Sequence, residues 1–266
     1  MPLILTYHAI STAKSPVCIA PDVFESHLAA LAQSGWVSVS LSEVLDWLEF
    51  GTLQSADVIH PGDRHDCGPS SKAVAITFDD GYASVYHQAW PRLKAWGFGA
   101  TLFVITGRCG RDNRWPGQPG SMPTLPLLDW DQLGELGSDG FEFGAHTHTH
   151  PPLTEIPLGQ AEDEIARSKE ILAARTGQPV PVFAPPYGAT NKPVQDLISQ
   201  YFCGSATTEL GVVRMGADPC RLKRLDAFYF TQGRLPWLEH PLFDNYLKIR
   251  QILRTLKRRV RPDWER

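Results

Sequence analysis

Two groups of residues have the types and spacing for hydrolytic chemistry. The first is Asp79-Asp80, inside Thr77-Phe-Asp-Asp-Gly81. Adjacent carboxylates directly after an apolar run repel each other unless a positive group sits among them. A metal ion would serve; a solvated Asp-Gly turn is the plainer reading. The second is Gly144-Ala-His-Thr-His-Thr-His150, with three imidazoles in five residues. His146 and His150 are four apart, so one helical turn or a tight loop can bring both rings to one side of a metal. His148 then points elsewhere and is given no ligand role. A third segment, Phe183-Ala-Pro-Pro-Tyr-Gly188, has a backbone fixed by two prolines, which can hold an N–H group and an aromatic ring toward a pocket.

The elements needed to position these groups are legible along the chain. Leu3–Tyr7 reads as a buried strand, followed by a helix over Pro21–Ser34, a short strand at Trp36–Val39 and a helix over Ser42–Phe50. Residues 51–72 lack periodicity and read as a loop. Ala73–Phe78 is the clearest strand, and the expected helix after it, Ala83–Trp96, should start or kink at Pro91. Further strands fall at Ala100–Ile105, Phe141–Phe143, Val182–Phe183, Cys203–Ala206 and Leu222–Ala227. Helices fall at Asp129–Leu136, capped by Asp129 with Gln132, at Leu158–Arg175 and at Pro193–Gln200. Residues 107–126 are rich in Gly and Pro and include Trp115; they read as a surface loop or a substrate lid. Alternation of this kind predicts an α/β fold, either a parallel sheet or a barrel, with its site at the carboxyl ends of the strands.

Taken in order, TFDDG, HTHTHPPLT and PPYG resemble the polysaccharide deacetylase family over roughly residues 70–230. The resemblance implies a distorted (β/α) barrel of about seven parallel strands in one domain, placed at residues 1–235. It implies a hydrolase that removes N-acetyl groups from a carbohydrate, either a glycan or a lipid-linked sugar. Carried over by position, Asp79 is the general base, and Asp80, His146 and His150 hold one divalent metal. Zinc suits the imidazoles, with cobalt, nickel and manganese as alternatives. The metal would activate a water, and the backbone N–H of Tyr187 would help to hold the oxyanion.

The chain departs from the family's pattern twice. The arginine many members carry in the third motif is Ala184 here, so Arg224 is the candidate to orient the base, against the reading of a surface arginine. The late Leu-x-His motif, Leu238-Glu-His240, is flanked by Pro236 and Pro241 with no strand before it. The strand Leu3–Tyr7 instead ends at His8. The chain thus resembles the permuted, exopolysaccharide branch of the family, with His8 rather than His240 as the acid for the leaving nitrogen.

Composition bounds the rest. The chain has 266 residues, 42% of them hydrophobic, and a net charge of -4, with no basic field for nucleic acid. Five scattered cysteines, including Cys67, read as free thiols of a reducing compartment, and a cytoplasmic protein is the expectation. Residues 236–266 form a basic helical tail. Its last 22 residues, 245–266, carry eight Lys or Arg against Asp263 and Glu265, hence +6, which leaves -10 on residues 1–244. The apolar stripe of this tail either packs on the barrel or lies on a membrane, at its inner face. Two rival functions remain open: an amidohydrolase for small non-sugar amides, and a barrel that binds glycans without turnover.

Overall fold

A computed structural model describes residues 1–53, 72–231, 235, 238, 240 and 243–260, without the side chains of 244 and 254–260. Cys67, nearly all of the loop expected at 51–72, and the prolines on either side of Leu238–His240 lie outside the described residues.

Seven strands close a wholly parallel barrel: β1 (Leu3–Tyr7), β5 (Lys72–Phe78), β6 (Thr101–Val104), β7 (Glu142–Ala145), β8 (Val182–Phe183), β9 (Gly204–Leu210) and β10 (Leu222–Asp226). Neighbours pair in this order, and β1 closes the ring between β5 and β10. A two-stranded pair, β2 (Ala9–Ile10) and β3 (Cys18–Ile19), leads from β1 to the outer helices.

The distortion has a visible cause. Strand β6 is only four residues long and pairs with β5 at Thr77 and Phe78. The first half of the β5 edge is taken by a short eighth strand, β4 (Trp36–Ser38), which pairs with residues 72–74. From there the chain enters α2 (Leu41–Phe50), whose N-cap Ser40 forms a capping box with Glu43. The Glu142 carboxylate accepts hydrogen bonds from the N–H groups of Leu41 and Ser42, tying the start of α2 to β7. Leu41 and Val44 join Ile4, Ala75, Phe103, Val182 and Leu222 in the cluster that fills the barrel.

The outer layer is α1 (Pro21–Gln33), α3 (Trp90–Trp96), α4 (Trp130–Ser138), α5 (Leu158–Thr176), α6 (Lys192–Tyr201) and α7 (Phe243–Val260). Phe24, Leu28, Leu93, Leu133, Ile165 and Leu172 pack their apolar faces against the strands in one continuous core. The helix expected from Ala83 is not uniform. Residues Val85–Ala89 form a wide π-turn, and α3 starts at Trp90 with Pro91 in its first turn. Proline has no N–H to continue the ladder backwards, so the turn before it opens.

Helix α7 packs on the barrel through buried Phe243 and Leu247, and Gln251 accepts a hydrogen bond from the Leu210 N–H. No helix among the described residues is long and apolar enough to cross a membrane.

Candidate active site

The chemically active side chains lie at the carboxyl ends of the strands, where a parallel barrel gathers residues distant in sequence. His8 follows β1, Asp79 and Asp80 follow β5, His146 and His150 follow β7, Tyr187 follows β8, and Arg224 stands on β10. They line one cavity of about 360 Å³.

Asp80, His146 and His150 are all buried, and one ligand atom of each lies within 4.8 Å of the others. Nε2 of His146 is 3.2 Å and Nε2 of His150 is 3.3 Å from the same Asp80 oxygen, Oδ1. His146 donates its Nδ1–H to the Ala184 carbonyl at 2.6 Å, so that when the ring is neutral its Nε2 lone pair faces the Asp80 carboxylate, free to ligate a metal. Electron-rich nitrogen and oxygen atoms converging in a buried space fit a cation such as zinc, which takes such donors at about 2.0–2.2 Å. Burial raises the Asp80 carboxyl, but hydrogen bonds from the His146 and His150 rings, when these carry a proton on Nε2, outweigh it and hold it well below the usual carboxylate range. The His150 Nδ1 is buried without a hydrogen-bond partner among the described residues. Its ring is held by aromatic contacts instead, with Trp115 at 4.3 Å and Tyr187 at 4.8 Å between centroids.

Asp79 has a different partner. Arg224 is buried and grips it with two hydrogen bonds, Nη1 to Oδ1 at 2.7 Å and Nη2 to Oδ2 at 2.8 Å. The guanidinium is fixed by Nε donating to the Thr207 carbonyl and by packing over the Phe103 ring. Burial pushes the Asp79 carboxyl up, yet the charge and hydrogen bonds of Arg224 more than offset it, so it stays ionised below the usual range. Nε2 of His8, a quarter exposed, lies 3.9 Å from Asp79 Oδ2. His240 is exposed and is not among the residues lining the cavity.

The His146–His150 segment is a tight loop, not a helical turn. Thr147 and His150 take left-handed φ values of 66° and 73°, Asp80 takes 69° and Tyr187 takes 59°. These are the only non-glycine residues with positive φ among those described, and all four lie at the site. Such conformations cost about 1–3 kcal/mol each and persist where the surroundings enforce them. The enforcement is visible. Thr147 Oγ1 donates to the His146 carbonyl and accepts from the His150 N–H. Glu164 of α5 accepts from the N–H groups of His148 and Thr149 and from the Thr149 hydroxyl. His148 turns away, its Nδ1 bonded to Thr106 Oγ1 at 2.9 Å. Gly144 leaves room for the Phe103 ring beneath the loop, since a Cβ there would lie 2.5 Å from ring carbons.

Sequence reasoning passed over Glu164, which sits in an ordinary amphipathic helix, as well as Phe228 and Tyr229 at the cavity wall. Residues 107–126 form a wall cinched at its base by buried Asn113, which bonds to Pro123 and Leu125. From it Trp115 donates its indole N–H to the Tyr187 hydroxyl at 3.0 Å.

Fold and site together define a parallel barrel that carries, at the carboxyl ends of its strands, a buried carboxylate–imidazole donor set of the kind that holds a metal ion. The chain belongs to the polysaccharide deacetylase family, whose model matches residues 67–202 and so spans the first three motifs but neither His8 nor Arg224. YxkH of Bacillus subtilis, named for the same family, is 29% identical over 71% of this chain and 57% of its own length. The poly-β-1,6-N-acetyl-D-glucosamine N-deacetylase of Staphylococcus aureus is 29% identical over 45% of this chain and 42% of its own length. The chain thus spans about half the length of these relatives. Among solved structures, Streptococcus pyogenes deacetylase PplD, in complex with acetate, superposes with a TM-score of 0.69 at 26% identity, covering 84% of this chain and 91% of that one. IcaB from Ammonifex degensii shares the fold, with a TM-score of 0.70 at 24% identity over 88% of this chain and 97% of that one.

Proposed function

We propose that this protein is a metal-dependent deacetylase that hydrolyses the N-acetyl groups of a carbohydrate. One observation carries the reading: a buried Asp80–His146–His150 donor set shares a cavity with an ionised Asp79 locked by Arg224. The relatives' names, which include deacetylases of poly-N-acetylglucosamine and of peptidoglycan, support an N-acetylated sugar as substrate.

Two imidazoles and a carboxylate suit zinc, with cobalt, nickel and manganese also within the donors' range. A divalent ion bound there supplies Lewis acidity, lowering the pKa of water and polarising the acyl oxygen. The chain's own residues do the rest. Asp79, kept ionised and aimed by Arg224, takes a proton from the attacking water. We assign the backbone N–H of Tyr187, a residue that lines the cavity, as the donor to the oxygen on which charge develops. The leaving nitrogen needs a proton before the C–N bond breaks, and His8, beside Asp79 at the cavity wall, delivers it. The products are acetate and a sugar amine.

The test is acetate release from N-acetylglucosamine oligomers and lipid-linked sugars, with and without chelator. Release that stops with chelator and returns with zinc is expected. Opening of small cyclic amides with no action on acetylated sugars would transfer the chain to the amidohydrolases. Stoichiometric zinc with no turnover on any acetylated sugar would make it a glycan-binding barrel.

A further inference from the structure

The catalytic reading leaves one large surface without a task. Three big apolar side chains of α7 stand in solvent: Ile249, Ile252 and Leu253 are 58%, 60% and 55% exposed. At i, i+3 and i+4 they form one stripe, while buried Phe243 and Leu247 anchor the opposite face of α7 on the barrel. Packing on the barrel therefore accounts for one face of this helix and not the other.

Beside the stripe, between α7 and β9–β10, runs an open groove of about 720 Å³ that shares Ile252 with it. Its floor is apolar, with Leu210, Val213 and Leu247 buried. Its walls carry four cations, Arg214, Arg221, Lys223 and Lys248, against two carboxylates, Glu209 and Asp218. Glu209 pairs with Arg221 and Lys223, and Lys248 is exposed on α7 next to the stripe. The whole protein carries -4, so this cationic side runs against the charge of the molecule.

We infer that the exposed face of α7 and the adjoining groove form a docking surface for an anionic lipid bilayer, with the stripe entering the headgroup boundary and the cations meeting lipid phosphates. An apolar ridge flanked by cations is the arrangement that binds such surfaces, and each basic residue near them adds attraction that salt screens. A second copy of this chain would bring like-charged grooves together. An acidic polymer would use the cations and leave the stripe wet. The bilayer uses both.

The surface is tied to the catalytic cavity. Arg250 of α7 stacks on Tyr229, which lines that cavity, with 5.3 Å from the guanidinium carbon to the ring centroid. Docking through α7 thus engages a helix that touches the wall of the catalytic cavity, and a deacetylase held there would meet an envelope or lipid-linked glycan. This last step rests on the deacetylase reading; the docking does not.

Cosedimentation with vesicles of phosphatidylcholine alone or with phosphatidylglycerol at about 30% separates the outcomes. Binding at least tenfold tighter to the anionic vesicles is expected, weakening as salt rises. The Ile249→Ser/Ile252→Ser/Leu253→Ser variant should lose it tenfold or more. Lys248→Glu should lose it severalfold, as an independent check from outside the stripe. Both variants should keep the wild-type melting temperature and acetate release from soluble oligosaccharides. Equal sedimentation of wild type and the triple variant would overturn the inference. So would a dimer in light scattering that the triple variant abolishes without any vesicle binding, or capture by a soluble polyanion that is indifferent to the stripe. Vesicle binding in a protein without deacetylase activity would leave the docking standing and remove only the catalytic reading.

Discussion

Replacing Arg224 by methionine keeps much of the side chain's bulk and removes its charge and every donor. In the native protein that guanidinium makes four hydrogen bonds, two to Asp79 and one each to Thr77 and Thr207. Side-chain exposure is 4% for Arg224 and 6% for Asp79, so water cannot replace what is lost. Removing one partner of a buried pair costs about 3–5 kcal/mol, because the other charge is left uncompensated. A typical domain has only about 5–15 kcal/mol to lose. At roughly 2–4 °C per kcal/mol for a chain of this size, the melting temperature should fall by about 6–20 °C. Acetate release should fall with it, since the carboxylate loses the group that aims it. Arg224→Lys should do less harm to stability, but one ammonium cannot hold both oxygens. The decisive measurement is the cycle with Asp79→Asn. Once the buried charge is gone, Arg224→Met should cost far less, and the double variant should be more stable than Arg224→Met alone. Additive losses, or a drop under about 2 °C in Arg224→Met, would refute the argument.

Three other expectations follow from the geometry. His27 is buried, accepts from the Tyr7 hydroxyl and donates to the Phe230 carbonyl, and burial holds its pKa below the usual imidazole value. The unfolded chain therefore binds more protons below about pH 6.5, so stability is full above that pH and falls as pH drops, by up to about 1.4 kcal/mol per unit. Urea unfolding at pH 7.5 and 5.0 should show a smaller pH effect in His27→Gln than in the wild type; equal effects would clear His27 of the role. Glu164→Ala should weaken zinc binding by roughly 10–100-fold in calorimetric titration, since the ligand loop loses its clamp; unchanged affinity would mean the loop holds itself. His8→Ala should slow acetate release by about 10²–10⁴ with zinc content intact, while His240→Ala changes little; the opposite pattern would give the acid role to His240.

The parts of the site readable in advance were those written locally. An apolar run ending in two aspartates marks the end of β5, and an Asp–Gln pair three residues apart marks the start of α4 through its capping box. What stayed hidden depends on contacts made in space. Nothing near Arg224 in sequence tells a buried partner of Asp79 from a surface residue, because the two lie 145 positions apart. Strand β9 runs four residues beyond the expected Cys203–Ala206, to Leu210, since Thr207 and Thr208 line the polar cavity and break the apolar pattern by which a strand is recognised. The spacing of His146 and His150 fits a helical turn as well as a loop. Only the left-handed Thr147 and its hydrogen bonds decide between them.

The closure of the ring by β1 has a consequence for how the protein is made. Its partner β10 begins 219 positions after β1 does, at Leu222 against Leu3. At about 5–20 residues per second of synthesis, β1 waits on the order of 10–45 s for that neighbour. During the wait β5 can cover one of its edges, while the other leaves the polar backbone of a wholly apolar or aromatic segment, interrupted only by Thr6, open to passing chains. Contacts this distant in sequence slow folding, because the intervening loop must be closed before they form. The hazard of this barrel thus falls in the interval between ribosome and closure, and a holdase chaperone that shields the free edge of β1 should raise the yield of folded protein more than any substitution in the finished core.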